Sequence, residues 1–584
     1  MSRFVRSCLL LCLISLGSAH AQVPWGSWSD EAFARARAEN RFVLLDLEAV
    51  WCHWCHVMER ETYHDPKVMK LIASHYVPIK VDQDARPDIS RRYENYGWPA
   101  TIVFAPDGTE IVKRRGYIAP EHFANLLQAI IDDPSPVNYP DSDLVTEFST
   151  SPLLAETTRA ILKERFVSTH DFKKGGMLQQ QKFMDRDTVE YALMLAARGD
   201  AQAAKMATQT LNGALQLIDP VWGGVYQYST HSDWKHAHFE KIMFVQADYM
   251  RVFVLAYETL GDPKYLQAAR DIERYVDRFL RSPEGAFYTS QDADLVKGQH
   301  SEDFFALDDA KRMKLGIPAI DKHRYARENG WMIHALTYLY AATGEAGVLD
   351  KARQAARWVL ANRALSDGGF RHDEKDPAGP YLEDTLSMGR AFLGLHQVTG
   401  EREWLEHAMA ASQFIRDNFS EGPAGFVAGV RDGILEPQPQ TDENLMHARF
   451  AALLAHYSGD AGDKTSAERA MRYLVTPEIA LRRRTNPGIL IADIELSSDP
   501  AHLAVIGAKN DPAAARLFRA AQRYPGGYKR IEWWDRAEGP LTHADIDYPP
   551  LPRAAAFVCS DGSCSLPIFD AAELLTMAAR INRN

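Results

Sequence analysis

The chain has 584 residues, 46% of them apolar and 25% charged, and carries a net charge of −12. That length is too great for a single hydrophobic core and calls for several domains. The excess of 78 acidic over 66 basic residues argues against nucleic acid or an anionic membrane as a partner.

Residues 1–21 run from Arg3 and Arg6 through an apolar stretch, Leu9 to Leu16, to Ala19-His20-Ala21. This is the pattern of a signal peptide with a small-x-small cleavage site, so removal is expected near Ala21. The apolar run is shorter than the roughly 20 residues that a spanning helix needs. With no longer run downstream, no integral membrane segment is expected in the mature chain. A periplasmic or secreted location follows, where disulfides persist. Of the six cysteines, Cys8 and Cys12 leave with the leader; two close pairs, Cys52/Cys55 and Cys559/Cys564, remain.

Residues 22–132 read as a mixed α/β domain. Ser29 to Asn40 forms a capped helix and Phe42 to Leu47 a buried strand; a helix follows from about Cys55 to Ser74. Strands are expected at Val77 to Val81, Ala100 to Phe104 and Ile111 to Arg115, with a turn at Pro106-Asp107-Gly108 and a closing helix from Pro120 to Ile131. Residues 133–150, with several Pro, Asp and Ser, read as a linker.

From 151 to 495 one unit recurs: a helix, a tight Gly turn, a second helix and a Gly-aromatic stretch. The turns are Gly261-Asp262, Gly344-Glu345, Gly400-Glu401 and Gly459-Asp460. Such hairpins bury their apolar faces only by stacking on neighbours. Long loops after every second helix favour a ring closed around a cleft over a straight solenoid, and six hairpins are expected, the helix 151–166 supplying part of the sixth. Residues 496–584 read as a small α/β appendage with strands near His502 to Gly507, Lys529 to Trp534 and Ala554 to Cys559. The fold class is therefore multidomain: an α/β domain, an all-α (α/α)6 toroid and a C-terminal α/β appendage.

Cys52 falls at the junction of a buried strand and a helix, where free N–H groups and the positive helix end stabilise a thiolate. Cys55 lies one turn on, within reach for a disulfide that exchanges through a mixed disulfide. Trp51 precedes the pair, and the His53 imidazole would further favour the anion. An oxidising poise is expected, above the about −270 mV of thioredoxin. Cys52-His53-Trp54-Cys55-His56 also fits the C-x-x-C-H haem attachment pattern. Zinc on Cys52, Cys55, His53 and His56 would crowd four ligands onto one turn, and a purely structural disulfide is a further alternative. No metal or cofactor is expected. Cys559 and Cys564 flank a turn and are read as a structural disulfide.

The stretch Asp46 to Cys52 resembles the strand that leads into the thioredoxin active site. That resemblance implies Asp46 as proton acceptor for Cys55. Tyr96 to Thr101 resembles the segment carrying that family's cis-proline, which makes Pro99 the residue lying against the disulfide.

In the toroid, the densest polar and aromatic cluster is His231 to Lys241, matched by Ser290 to Asp294 and by Glu383-Asp384. Carboxylates facing across a toroid mouth, with aromatic rings to stack on sugar, are what glycoside chemistry needs. The candidate cleft residues are His238, Glu240, Asp292, Asp294, Trp234 and Asp384.

Trp51 to Met58, Val81 to Asp88, Gly97-Trp98-Pro99, Gly223 to Tyr228 with His238 to Lys241, Gln291 to Asp294, and Phe557 to Cys559 with Cys564 to Pro567 together resemble the spermatogenesis-associated protein 20-like thioredoxin-domain family. The resemblance implies a thioredoxin fold fused to a six-hairpin toroid similar to that of N-acylglucosamine 2-epimerases and some glycosidases. Three functions follow as expectations: a thiol–disulfide oxidoreductase acting on protein thiols or a dedicated redox partner, a carbohydrate-active enzyme with a sugar ligand in the toroid, or a scaffold holding a partner by a mixed disulfide.

Overall fold

The computed structural model describes residues 22–139, 145–376, 378–430, 433, 435–560 and 563–581; the expected signal peptide lies outside them. In the N-terminal domain the strand Phe42–Glu48 is central. It pairs in parallel with Tyr76–Asp82 and antiparallel with Ala100–Phe104, which pairs antiparallel with Glu110–Arg115. The central strand is buried on both faces, because apolar clusters lie on either side of the sheet; this is why Phe42 to Leu47 reads as a near-continuous apolar run.

The single helix expected from Cys55 to Ser74 is two helices, His53–Glu61 and Pro66–His75. Pro66 has no N–H to donate to a continuing helix, and Asp65 caps the second helix by accepting from the Lys67 and Val68 N–H groups. A short helix, Pro87–Tyr93, was not anticipated; at seven residues it offers too little periodicity to read.

The toroid closes. Six inner helices, Arg186–Ala197, Met243–Leu260, Ala326–Thr343, Leu382–Thr399, Thr441–Ser458 and Pro487–Ser497, each pack on the next, and the last packs on the first. Outer helices Ala201–Ala214, Pro263–Tyr275, Ala346–Asn362, Arg402–Asn418 and Ala461–Leu474 complete five hairpins. The sixth is made from the two ends of the domain, Glu156–Ser168 packing on Pro487–Ser497. Gly261, Gly344, Gly400 and Gly459 end four inner helices with φ from +67° to +75°, a conformation that glycine adopts without a Cβ penalty.

The appendage carries strands Ala501–Ile506, Lys529–Trp534, Ala555–Ser560 and Ser563–Cys564. Their order and directions repeat those of the N-terminal sheet: a central first strand, a parallel neighbour on one side and two antiparallel strands on the other. The junction after its first strand, Gly507 to Asp511, has no cysteine. The Cys559–Cys564 disulfide instead ties its last two strands together.

The two α/β domains cover opposite mouths of the ring. The appendage holds the C-terminal ends of inner helices: Arg519 Nη1 donates to Ala341 O at 2.9 Å, Gln522 Nε2 to Val398 O at 2.8 Å and Lys509 Nζ to Gly400 O at 2.7 Å. The N-terminal domain covers the other ends. There Arg91 pairs with Glu383, and Arg483 joins Glu94 to Asp442. No helix among the described residues is long and apolar enough to cross a membrane.

Candidate functional site

Cys52 caps the helix His53–Glu61, its Sγ accepting from the Cys55 N–H at 3.1 Å, and forms a disulfide with Cys55. The Trp98-Pro99 peptide is cis, as expected from the resemblance to thioredoxin. Trp98 stands edge-on to Trp51, ring centres 5.7 Å apart.

The pair is closed off from solvent. Cys52 and Cys55 are only 4% and 3% exposed, and with Ala49 and Trp51 they belong to the apolar cluster of the toroid rather than to either core of their own sheet. The N-terminal domain presents its double-Cys turn inward, onto the toroid mouth.

The loop Ser290 to Ser301 forms one wall. His53 Nδ1 lies 2.7 Å from Asp294 Oδ1, and its ring packs on His300 with centres 4.1 Å apart. His56 places Nδ1 3.2 Å from Asp294 Oδ2 and Nε2 3.1 Å from Val50 O. The Gly298 N–H also donates to Asp294 Oδ2, at 2.7 Å. A second contact runs through Asp84: its Oδ2 accepts from Trp51 Nε1 at 2.7 Å, and its carbonyl accepts from His372 Nε2 at 2.7 Å. His372 Nδ1 in turn faces Asp384 Oδ1 at 2.9 Å.

Each carboxyl in this interface has its own electrostatic setting. Burial pushes Asp46 up to about 7, with Glu48 adding to the shift and Lys80, 3.6 Å away, opposing it. Burial likewise raises Glu240 to about 8 and Asp292 to about 6. The His53 backbone N–H, at the start of the double-Cys helix, pulls Glu240 part of the way back. Burial works to raise Asp294 too, but hydrogen bonds from His53 and His56 overcome it and hold the carboxyl at about 2. For His372, burial favours the neutral ring, and the Asp384 carboxylate outweighs it, raising the imidazole to about 9.

The redox and sugar candidates of the sequence therefore converge: His53, Glu240, Asp292 and Asp294 share one interface. His238 lies at its edge, stacked on Tyr228 with centres 4.3 Å apart, and burial first, then His53 and His300, lowers it to about 4. Two candidates do not join. Trp234 is buried against Gly176 and Gly213, where a Cβ on Gly213 would fall 2.2 Å from the indole, and its Nε1 donates to Lys174 O. Asp384 is used up on His372 and on the Arg327 N–H, 2.8 Å away. The His53 ring is engaged by Asp294, so its expected support of a Cys52 thiolate is shared with a carboxylate. Cys559 and Cys564 lie in the appendage, at the far mouth. Sequence reasoning missed Asp84, His300 and His372. Asp84 stands inside the stretch Val81 to Asp88 that carries the family resemblance; nothing in the local pattern marks the two histidines.

Among known proteins, residues 14–132 match a family model described as Thioredox_DsbH, a protein of unknown function, DUF255. Spermatogenesis-associated protein 20 of Mus musculus is 28% identical over 316 residues, covering 48% of this chain and 40% of that protein. Thiol:disulfide interchange protein DsbD 1 of Pseudomonas aeruginosa is 35% identical over 109 residues, 16% of this chain and 18% of that one. Among solved structures, a sugar epimerase from a ruminal bacterium superposes with a TM-score of 0.41 at 17% identity, covering 55% of this chain and 85% of that chain. The chain is thus related to spermatogenesis-associated protein 20, as its motifs indicated, though the match spans well under half of that relative's length.

Proposed function

We propose that this protein is a periplasmic thiol–disulfide oxidoreductase that uses Cys52 and Cys55 inside a site closed by the toroid. The observation that carries the reading is the Cys52–Cys55 disulfide at a helix N-terminus, with Asp46 buried in the strand that precedes it and raised to about 7. The similarity of residues in this domain to a thiol:disulfide interchange protein supports it. In the oxidising direction a substrate thiolate attacks Cys52 Sγ and the Cys52–Cys55 bond breaks. Cys55 leaves as a thiolate, and Asp46, neutral below about pH 7, supplies its proton. A second substrate thiolate then attacks the mixed disulfide, releasing oxidised substrate and leaving the protein as a dithiol. The reducing direction reverses these steps, Asp46 taking the Cys55 proton.

Burial of both sulfurs decides what reaches them. With both sulfurs buried in the apolar cluster of the toroid and the neighbouring His53 held by Asp294, a folded protein surface cannot touch Cys52 unless the domain interface opens, so the toroid selects partners that are small or that open it.

The carbohydrate alternative finds three of its carboxyl groups together, but around the double-Cys helix rather than across an open mouth. Turnover of thiols lost in Cys52→Ser and retained in Glu240→Gln favours the redox reading; sugar turnover lost in Glu240→Gln and retained in Cys52→Ser rejects it. Cys55→Ser is expected to trap a mixed disulfide on Cys52, and mass spectrometry of the adduct identifies the partner.

A further inference from the structure

The interface between the double-Cys helix and the toroid contains more buried lone pairs than its own protons satisfy. Glu240, Asp292 and Asp294 are 3%, 1% and 2% exposed, and no lysine or arginine among the described residues forms an ion pair with any of them. Lys241, next in sequence, turns away to Asp219 at 2.8 Å. Gathering carboxyl groups out of water costs several kcal/mol unless positive charge or donors compensate.

The individual atoms sharpen the imbalance. Asp292 Oδ1 accepts from the Asp294 N–H at 2.9 Å, but Asp292 Oδ2 has no hydrogen-bond partner among the described residues. It sits 3.8 Å from His56 Nε2, beyond hydrogen-bond reach. Glu240 Oε2 and His53 Nε2 are likewise buried without partners. For His56, Nε2 is spent donating to Val50 O. Its Nδ1 lies 3.2 Å from Asp294 Oδ2. The spacing suits two donors on one small cation, each at about 2.0–2.2 Å from it. One donor atom from each of His56, Asp292 and Asp294 falls within 4.8 Å of the other two.

We propose that His56, Asp292 and Asp294 bind a divalent transition-metal ion at the junction of the thioredoxin-like domain and the toroid, with Glu240 beside it. One imidazole and two carboxylates suit Zn2+, Mn2+ or Fe2+, and Zn2+ accepts this ligand set with an open fourth position. The site differs from the zinc cluster conceivable on the cysteine turn alone, since Cys52 and Cys55 take no part and two ligands come from the other domain. It stands whether or not the cysteine pair exchanges. A cation there ties the domains together and places positive charge beside the helix that begins at Cys52.

The test uses the full chain, oxidised so that no thiol is free, stripped with chelator and titrated with ZnCl2 by calorimetry. Saturable binding of one equivalent is expected, unchanged in the Cys52→Ser/Cys55→Ser double variant and weakened at least tenfold by Asp292→Asn or His56→Gln. Absence of saturable binding overturns the proposal. So does binding that survives both ligand substitutions, or binding that requires the two cysteines. Should either substitution prevent folding, Mn2+ added to wild-type protein with 15N-labelled histidine decides. Selective broadening of the His53 and His56 resonances supports the site; broadening confined to exposed histidines such as His231 and His236 refutes it.

Discussion

At the scale of single residues, Asp46 carries the sharpest consequence. Its carboxyl is buried, raised to about 7, and its Oδ1 has no hydrogen-bond partner among the described residues. A carboxyl with a raised folded pKa contributes stability that is complete below its unfolded value, about 4, and is lost as pH rises towards 7. Asp46→Asn removes that loss. Its stability advantage over wild type is expected to grow between pH 4 and pH 7 and then level off, on the order of 3 kcal/mol, as read by denaturation across pH. The same substitution is expected to slow thiol exchange, because Cys55 then lacks its proton partner. Asp46 was legible from its place six residues before Cys52. The burial of Cys52 was not, because the toroid residues packed on the helix it caps, among them Asp294 and His300 against His53, lie more than 230 positions away in the chain.

At the scale of elements, the connection between domains depends on a pair of loops. His372 stands between an outer and an inner helix, donating to the Asp84 carbonyl of one domain and facing Asp384 of its own. Both ring nitrogens act as donors, so the bracket needs the imidazolium. A histidine raised to about 9 contributes stability that is complete below its unfolded value, about 6.5, and disappears as pH climbs through 9. Asp384→Asn is expected to cost about 3 kcal/mol at pH 6, with the gap to wild type narrowing above pH 9 in thermal-shift measurements. The Cys559–Cys564 disulfide belongs to the same scale: it closes a short hairpin, so its loss is expected to cost about 2 kcal/mol without changing thiol turnover. Helices and strands were read within a few residues where periodicity was long. The helix from Cys55 was read too long because the Pro66 breaker was passed over, and Pro87–Tyr93 was missed because one polar turn carries no period.

For the molecule as a whole, two sheets of the same topology cover the two mouths of one ring, and only the first carries cysteines at its strand–helix junction. The reduced pair should therefore react with iodoacetamide slowly in wild type. Cutting the ion pairs that hold the first domain down, with Arg91→Ala and Arg483→Ala, is expected to accelerate labelling of Cys52 at least tenfold; equal rates would show that the toroid does not guard the site. The reduction potential, measured against glutathione, is expected above thioredoxin's about −270 mV. The sequence by itself determined the elements and the chemistry of the cysteine turn, since capping, periodicity and turn residues act over a few positions and leave local marks. It also marked the ring, because hairpins that cannot bury their own faces recur until they close. Only the tertiary structure decided that the redox candidates and the toroid carboxyl groups are one site. Which mouth faces which turn depends on packing and ion pairs between residues hundreds of positions apart, and no local pattern records those.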